Sequence, residues 1–248
     1  MTYSLAFQNL VNDEFKKAEA FYTNQDHTEA NPYYIGKGNP NADILIIGKE
    51  LAIDPIENTE AIVKESVNNT RQWKAIIENG ESIGEFDPRC PYGFYLPPSS
   101  GATWNQYQRL NNLIFPENHS TEKSTFFDKF FLTEINTAPS LNSPGRQALA
   151  LTAMSERIDT IRNNAFFQQF PIVIVAAGGY WHIDQIKKAF GEELQHDDRS
   201  LPQNKFIVFT HPEKKKLVIS TRQLSTSVTG VLVEKIVGEI DEFRSFII

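Results

Sequence analysis

Apolar residues in this chain follow two rhythms: helical spacing over long stretches, and short unbroken runs. Over 4–22, Leu5, Leu10, Phe15, Ala18 and Phe21 recur at roughly helical intervals among Asp, Glu and Lys, which predicts an amphipathic helix. The same reading predicts helices over 57–78, 103–114, 146–167, 183–190 and 227–246, with Thr103 placed as an N-cap. The unbroken runs behave differently. Residues 42–48 read ADILIIG, 126–135 end in FFLTEI, and 171–177 read PIVIVAA. A strand wetted on one face alternates polar and apolar positions, so a run without alternation predicts a strand covered on both faces, as in a parallel sheet. Residues 206–209 and 217–220 predict two shorter strands, with 211–216 turning between them as a hairpin.

Strands and helices alternate, which predicts an α/β fold: a three-layer α/β/α sandwich with a central, mainly parallel sheet of about four strands. Those strands are expected near 43–47, 129–135, 171–177 and 217–220. No repeat or low-complexity linker interrupts the chain, so 1–248 reads as a single domain. Two loops stand out. Residues 31–41 are rich in Asn, Pro and Gly, and 80–101 form a long loop crowded with Pro and Gly. A loop of that length inside a compact domain is often functional.

Composition narrows the classes. The apolar fraction of 40% is enough for a packed core. No apolar run nears the roughly 18 residues needed to cross a bilayer, and the first ten residues show no secretory pattern. A cytoplasmic protein with no membrane partner is expected. The single cysteine, Cys90, excludes an internal disulfide and any multi-thiolate metal site. No His or Cys spacing of the zinc type is present, so no metal and no cofactor are expected. Gly36-Lys37-Gly38 is not a complete phosphate-binding loop. The net charge of −7 lacks the basic excess of a duplex binder. Lys214, Lys215, Lys216 and Arg222 are close in sequence, as a basic patch or a solvated turn.

Ligands of open parallel sheets collect at the carboxyl ends of the strands. Four segments should meet there: Gly48-Lys49-Glu50-Leu51 after the first strand, Asn136-Thr137 after the second, Gly178-Gly179-Tyr180 after the third, and Ser220-Thr221-Arg222-Gln223-Leu224-Ser225 at the last. This ordered set, over roughly 36–240, resembles the uracil-DNA glycosylase superfamily. Gly48 matches the glycine that leads the family's first motif, and Glu50 falls where the family carries Asp, Asn or Ala. Asn136 falls on the base-reading Asn, residues 178–180 match a Gly-containing turn, and Leu224-Ser225 match the end of a His-Pro-Ser-Pro-Leu-Ser segment. The departures are Ser220 in place of the usual catalytic His, Thr221-Arg222-Gln223 in place of Pro-Ser-Pro, and Leu51 in place of a Pro. His211-Pro212 does not supply the missing His, because a hairpin puts it at the opposite sheet edge.

The resemblance implies recognition of a flipped or single-stranded base in DNA, with hydrolysis of its N-glycosidic bond. In that chemistry Glu50 orients water and stabilises an oxocarbenium-like sugar, while Ser220 and Arg222 donate to the departing base. Asn136 reads the base edge, Phe94 and Tyr95 stack on it, and Tyr180 borders the pocket. Leu224 is a wedge into the vacated stack, and Ser225 holds a phosphate near the closing helix. Loss of the motif His implies excision weaker than in members that keep it. Each residue also has a plain role open to it: a loop acid for Glu50, a strand-end turn for Asn136, a surface ion pair for Arg222, core packing for Leu224, helix capping for Ser225. Trp104 and Trp181 read as core. Two other functions stay open: a non-catalytic nucleic-acid or nucleoside-binding module on the same fold, and an unrelated small-molecule hydrolase on a flavodoxin-like sheet.

Overall fold

A computed structural model describes residues 2–24, 33–51, 57–91, 102–137, 148–200, 205–225 and 228–247. The fully apolar runs do become parallel strands with both faces covered. β2 (Ile44–Gly48), β3 (Phe130–Glu134), β4 (Ile172–Ala176) and β7 (Leu217–Thr221) are parallel and buried almost throughout. The sheet is wider than the pattern predicts. The described residues form seven strands in the order β1-β3-β2-β4-β7-β6-β5, and the sheet is mixed. β1 (Lys37–Gly38) runs antiparallel to β3 at one edge. β6 (Phe206–Thr210) and β5 (Gln195–Asp198) run antiparallel at the other. The 206–220 hairpin is as the sequence predicts. The two edge strands are not, and the reason is physical: one is two residues long, and the other, Gln-His-Asp-Asp, is exposed at every position.

Helices cover both faces. One core packs Leu45, Ile47, Phe131, Val173, Val175 and Val218 against α1 (Leu5–Asn24), α3 (Asn69–Asn79), α6 (Ala148–Asn163), α7 (Ala165–Gln168) and α8 (Ile183–Phe190). The other packs Ile44, Ile46, Leu132, Ile174, Ala176 and Ile219 against α4 (Ala102–Ile114), α5 (Phe126–Lys129) and α9 (Gly230–Ile247). The alternation of even and odd residues between the two cores is the period-2 geometry of strands.

One strand expectation and two helical ones need correction. Residues 126–129 are a helical turn, α5, before β3 begins, because Phe126 and Phe127 pack together against α4 rather than extending the strand. The helix predicted over 146–167 breaks at Asn164, whose side chain accepts from the Phe166 backbone and caps α7. The helix predicted over 57–78 is three pieces: α2 (Thr59–Ile62), a π-helical turn (Val63–Val67) and α3. Such turns mark functional sites often. Here the turn buries Glu65, which faces Lys37 at 3.6 Å.

The basic run at 214–216 does not form a patch. Lys216 is half-buried against the sheet and donates to the Gln168 and Phe170 carbonyls at 2.9 and 2.7 Å. Burial pulls its pKa down to about 8. Lys215 pairs with Glu213, and Lys214 lies over the Phe246 ring. His211 begins the β6–β7 turn, with its Nδ1 accepting from the Glu213 backbone at 3.0 Å, far from the carboxyl edge of β7. Among the described residues no helix is long and apolar enough to cross a membrane.

Candidate functional site

A cleft of ≈ 280 Å³ opens at the carboxyl ends of β2, β3 and β4, under α4. Gly48, Lys49, Glu50 and Leu51 form one wall; Leu132, Thr133 and Glu134 form the floor beside Ala176. Thr103, Trp104 and Tyr107 come from α4, Glu65 from the π-helical turn, and Lys37 from β1. Gln223 closes the side toward β7. The position agrees with the rule that open α/β sheets bind ligands at this edge.

Glu50 is oriented by a hydrogen bond from the Tyr180 hydroxyl, at 2.7 Å to Oε2. The Gly178 turn makes this possible. Gly178 has φ +60°, its N–H donates to the Thr221 carbonyl at 3.0 Å, and Lys205 Nζ ties the Gly178 and Trp181 carbonyls at 2.8 and 2.9 Å. Tyr180 is thereby presented to Glu50, and Lys49 Nζ sits over its ring at 4.9 Å.

Glu134 is the residue that sequence reading missed. It lies across from Gly48 in the parallel register, and its carboxyl rests where a side chain on residue 48 would be. A Cβ on Gly48 would stand 2.3 Å from Glu134 Oε2. Desolvation pushes the Glu134 pKa up to about 7; Lys37 and Arg157 oppose the shift, and the Glu50 and Glu65 carboxylates add to it. Gly48→Ala therefore tests the packing. The offending atom is the end of a flexible side chain and the backbone at 48 is ordinary, so the fold should survive with a melting temperature within a few degrees. The Glu134 carboxyl must move, and its titration, followed by carbonyl-labelled NMR, should shift. An unchanged Glu134 titration would show that the glycine is not what seats the carboxyl.

Arg157 braces the site from behind. It is buried, and its Nε donates to the Glu134 carbonyl at 3.1 Å, its Nη1 to the Tyr34 carbonyl at 3.0 Å, and its Nη2 to Thr133 Oγ1. One guanidinium thus joins the end of β3 to the segment entering β1. Burial lowers its pKa to about 10.

The other expected residues divide. Gly48, Glu50 and Tyr180 come together as expected. Asn136 is on the same sheet edge as Glu50: its backbone N–H donates to the Lys49 carbonyl at 2.7 Å, and its side chain is wholly buried. Ser220 does not line the cleft. Its register beside Val175 and Ile207 puts its side chain on the opposite face of the sheet, with the α1 and α6 core. Its hydroxyl is buried and has no hydrogen-bond partner among the described residues. Leu224 is wholly buried in the α4 and α9 core, so packing, not insertion, is its role here. Arg222 and Ser225 are half-buried beyond the cleft wall, where Gln223 takes the lining position. The start of α9 is capped by Thr229, whose Oγ1 accepts from Leu232 N at 3.3 Å, not by Ser225. Phe94 and Tyr95 lie outside the described residues. Trp181 is core as expected, but Trp104 is half-buried and walls the cleft.

Three acids line the cleft, yet among the described residues no group of His, Cys, Asp or Glu is placed to hold a metal ion. No protein-family model matches the chain, and no curated protein matches it in sequence.

Proposed function

We propose that this protein is a divergent member of the uracil-DNA glycosylase superfamily that hydrolyses the N-glycosidic bond of a flipped or single-stranded base in DNA, in the cytoplasm. The observation that carries this reading is the carboxyl pair Glu50 and Glu134 in one cleft at the carboxyl edge of the parallel strands. N-glycoside hydrolysis needs a carboxylate to steer water and steady a cationic sugar, and a donor for the departing base. Glu50, held by Tyr180, suits the first task. Glu134 suits the second, because a carboxyl with a pKa of about 7 still carries its proton near neutrality. Trp104 offers a flat wall for a base. The ordered motifs at 48–51, 136 and 178–180 support the same reading, since they meet at one edge.

The direct test is excision of uracil from single-stranded and duplex oligonucleotides. The acidic net charge favours the single-stranded substrate, where fewer phosphates need neutralising. Base reading is tested by Asn136→Asp. An Asn amide both donates and accepts, whereas a carboxylate only accepts, so the variant should lose about tenfold or more of its preference for uracil over cytosine. Unchanged preference would remove Asn136 from the reading. The burial of Ser220 away from the cleft favours a second reading, a nucleoside-binding module without turnover. Tight single-strand binding with no excision would support it.

A further inference from the structure

We propose that Lys37 is the charged donor of this site, its ammonium stabilising the negative charge that a departing nucleobase ring nitrogen acquires. The inference rests on the hydrolase reading above and deepens it. The last strand offers no such donor, because Ser220 faces the other side of the sheet. Lys37 comes instead from the opposite edge. It lies across from Leu132 in the β1–β3 register, so its side chain shares the face that carries the cleft.

The segment is built to deliver it. Gly36 and Gly38 flank the lysine with φ of +147° and +97°, and a Cβ on either would meet the Leu132 or Phe130 carbonyl oxygen at 2.3 or 2.4 Å. Only glycine on both sides lets β1 lie this close to β3. Asn69 accepts from the Ile35 and Gly36 N–H groups and donates to the Gly36 carbonyl, which Trp73 Nε1 also reaches at 2.8 Å. Gly38 N–H donates to the Pro88 carbonyl at 2.7 Å. The backbone around Lys37 is fixed on every side.

The ammonium itself is held loosely. Lys37 is 6% exposed, and among the described residues its Nζ makes no hydrogen bond. Glu65 stands at 3.6 Å, beyond hydrogen-bond range, and the Trp104 ring centroid lies 5.6 Å away. An ammonium has three donors, and one that lines the cleft between Glu65 and Trp104 can turn them to a ligand there. The groups facing Lys37 are Glu65 from the π-helical turn, Trp104 from α4 and Glu134 from β3, with Glu50 beyond. A preorganised cation in a water-poor site is worth far more to a developing anion than one in solvent.

The step balances with water as the second reactant. The sugar–nitrogen bond breaks with its electron pair leaving on the base nitrogen. Water oxygen bonds to the anomeric carbon and its proton passes to Glu50. Lys37 holds the base anion until the Glu134 proton reaches it, and solvent returns a proton from Glu50 to Glu134.

The test compares oligonucleotides carrying uracil with those carrying 5-fluorouracil, a better leaving group. Lys37→Met is paired with Glu65→Gln, so that the carboxylate facing the lysine is neutralised along with it. The double variant should lose about a hundredfold with uracil and about tenfold or less with 5-fluorouracil, because the donor matters most where the leaving anion is least stable. Equal losses on both substrates would overturn the role of Lys37 while leaving the hydrolase reading intact. If the wild type excises neither, the hydrolase reading falls and free-base binding decides Lys37. Wild-type affinity for 5-fluorouracil should then exceed that of the double variant by a factor that grows as pH rises through ionisation of the base. A constant factor, or no binding by the wild type, overturns the proposal.

Discussion

Glu50→Gln is expected to lower single-turnover excision of uracil from single-stranded DNA by about 10²–10⁴-fold, with the fold intact. The amide has the size and shape of the carboxylate, and its oxygen still accepts from the Tyr180 hydroxyl, which donates to Glu50 at 2.7 Å. The turn that presents Tyr180 is anchored by Gly178, Thr221 and Lys205 and does not depend on the charge at 50. The variant should therefore melt with the wild type. What it loses is the negative charge beside the sugar and a base for the attacking water. At the upper end the loss amounts to about 5 kcal/mol of transition-state stabilisation. Excision that persists in Glu50→Gln would sink the mechanism, because the proposed step passes the proton of the attacking water to Glu50.

The sequence carried the parallel centre of the sheet because burial on both faces leaves a plain mark. ILIIG and IVIVA have no polar position to spare, and each became a central strand. It also carried the edge at which a site would form, since the carboxyl ends of such strands are fixed once the strands are. Gly48, Glu50 and Tyr180 meet at that edge; Asn136 shares the edge, but its side chain is wholly buried and is not part of the cleft lining. The missed parts share a different cause. β1 is two residues long, and its identity depends on the glycines at 36 and 38 hugging β3, which has no periodic signature. Lys37 was therefore legible only as part of an incomplete phosphate loop. Glu134 did leave a trace, as the one acid in the run FFLTEI, at a position where period 2 turns it to the same face as Leu132. A charge there argues either for a strand end or for a paid desolvation cost, and both are true. Ser220 was misplaced for the converse reason. Alignment with a motif fixes the position along a strand, but the register against Val175 fixes the face.

Glu134→Gln should move stability and activity in opposite directions, and pH should reveal both. The folded-state pKa of Glu134, about 7, lies above its ordinary 4.5, chiefly because the carboxylate form is desolvated. Folding then favours the protonated acid. Its contribution is fully present below pH 4.5 and is lost as pH rises through 7, since the unfolded chain has already released the proton that the folded chain keeps. The shift corresponds to about 3 kcal/mol, with Lys37 and Arg157 already moderating it. The amide is neutral at every pH. At pH 5 the two proteins should be about equally stable. At pH 8.5 the variant should be the more stable by about 3 kcal/mol, read from urea melts at matched ionic strength. Wild-type kcat/KM should fall as pH rises past about 7, as the acid is lost, and the variant should be slow throughout with that limb missing. The stability arm reads burial alone, and the rate arm reads the proton. Matched melts at pH 8.5 would mean that Glu134 is ionised at no cost where it lies, and it would then have no proton to give.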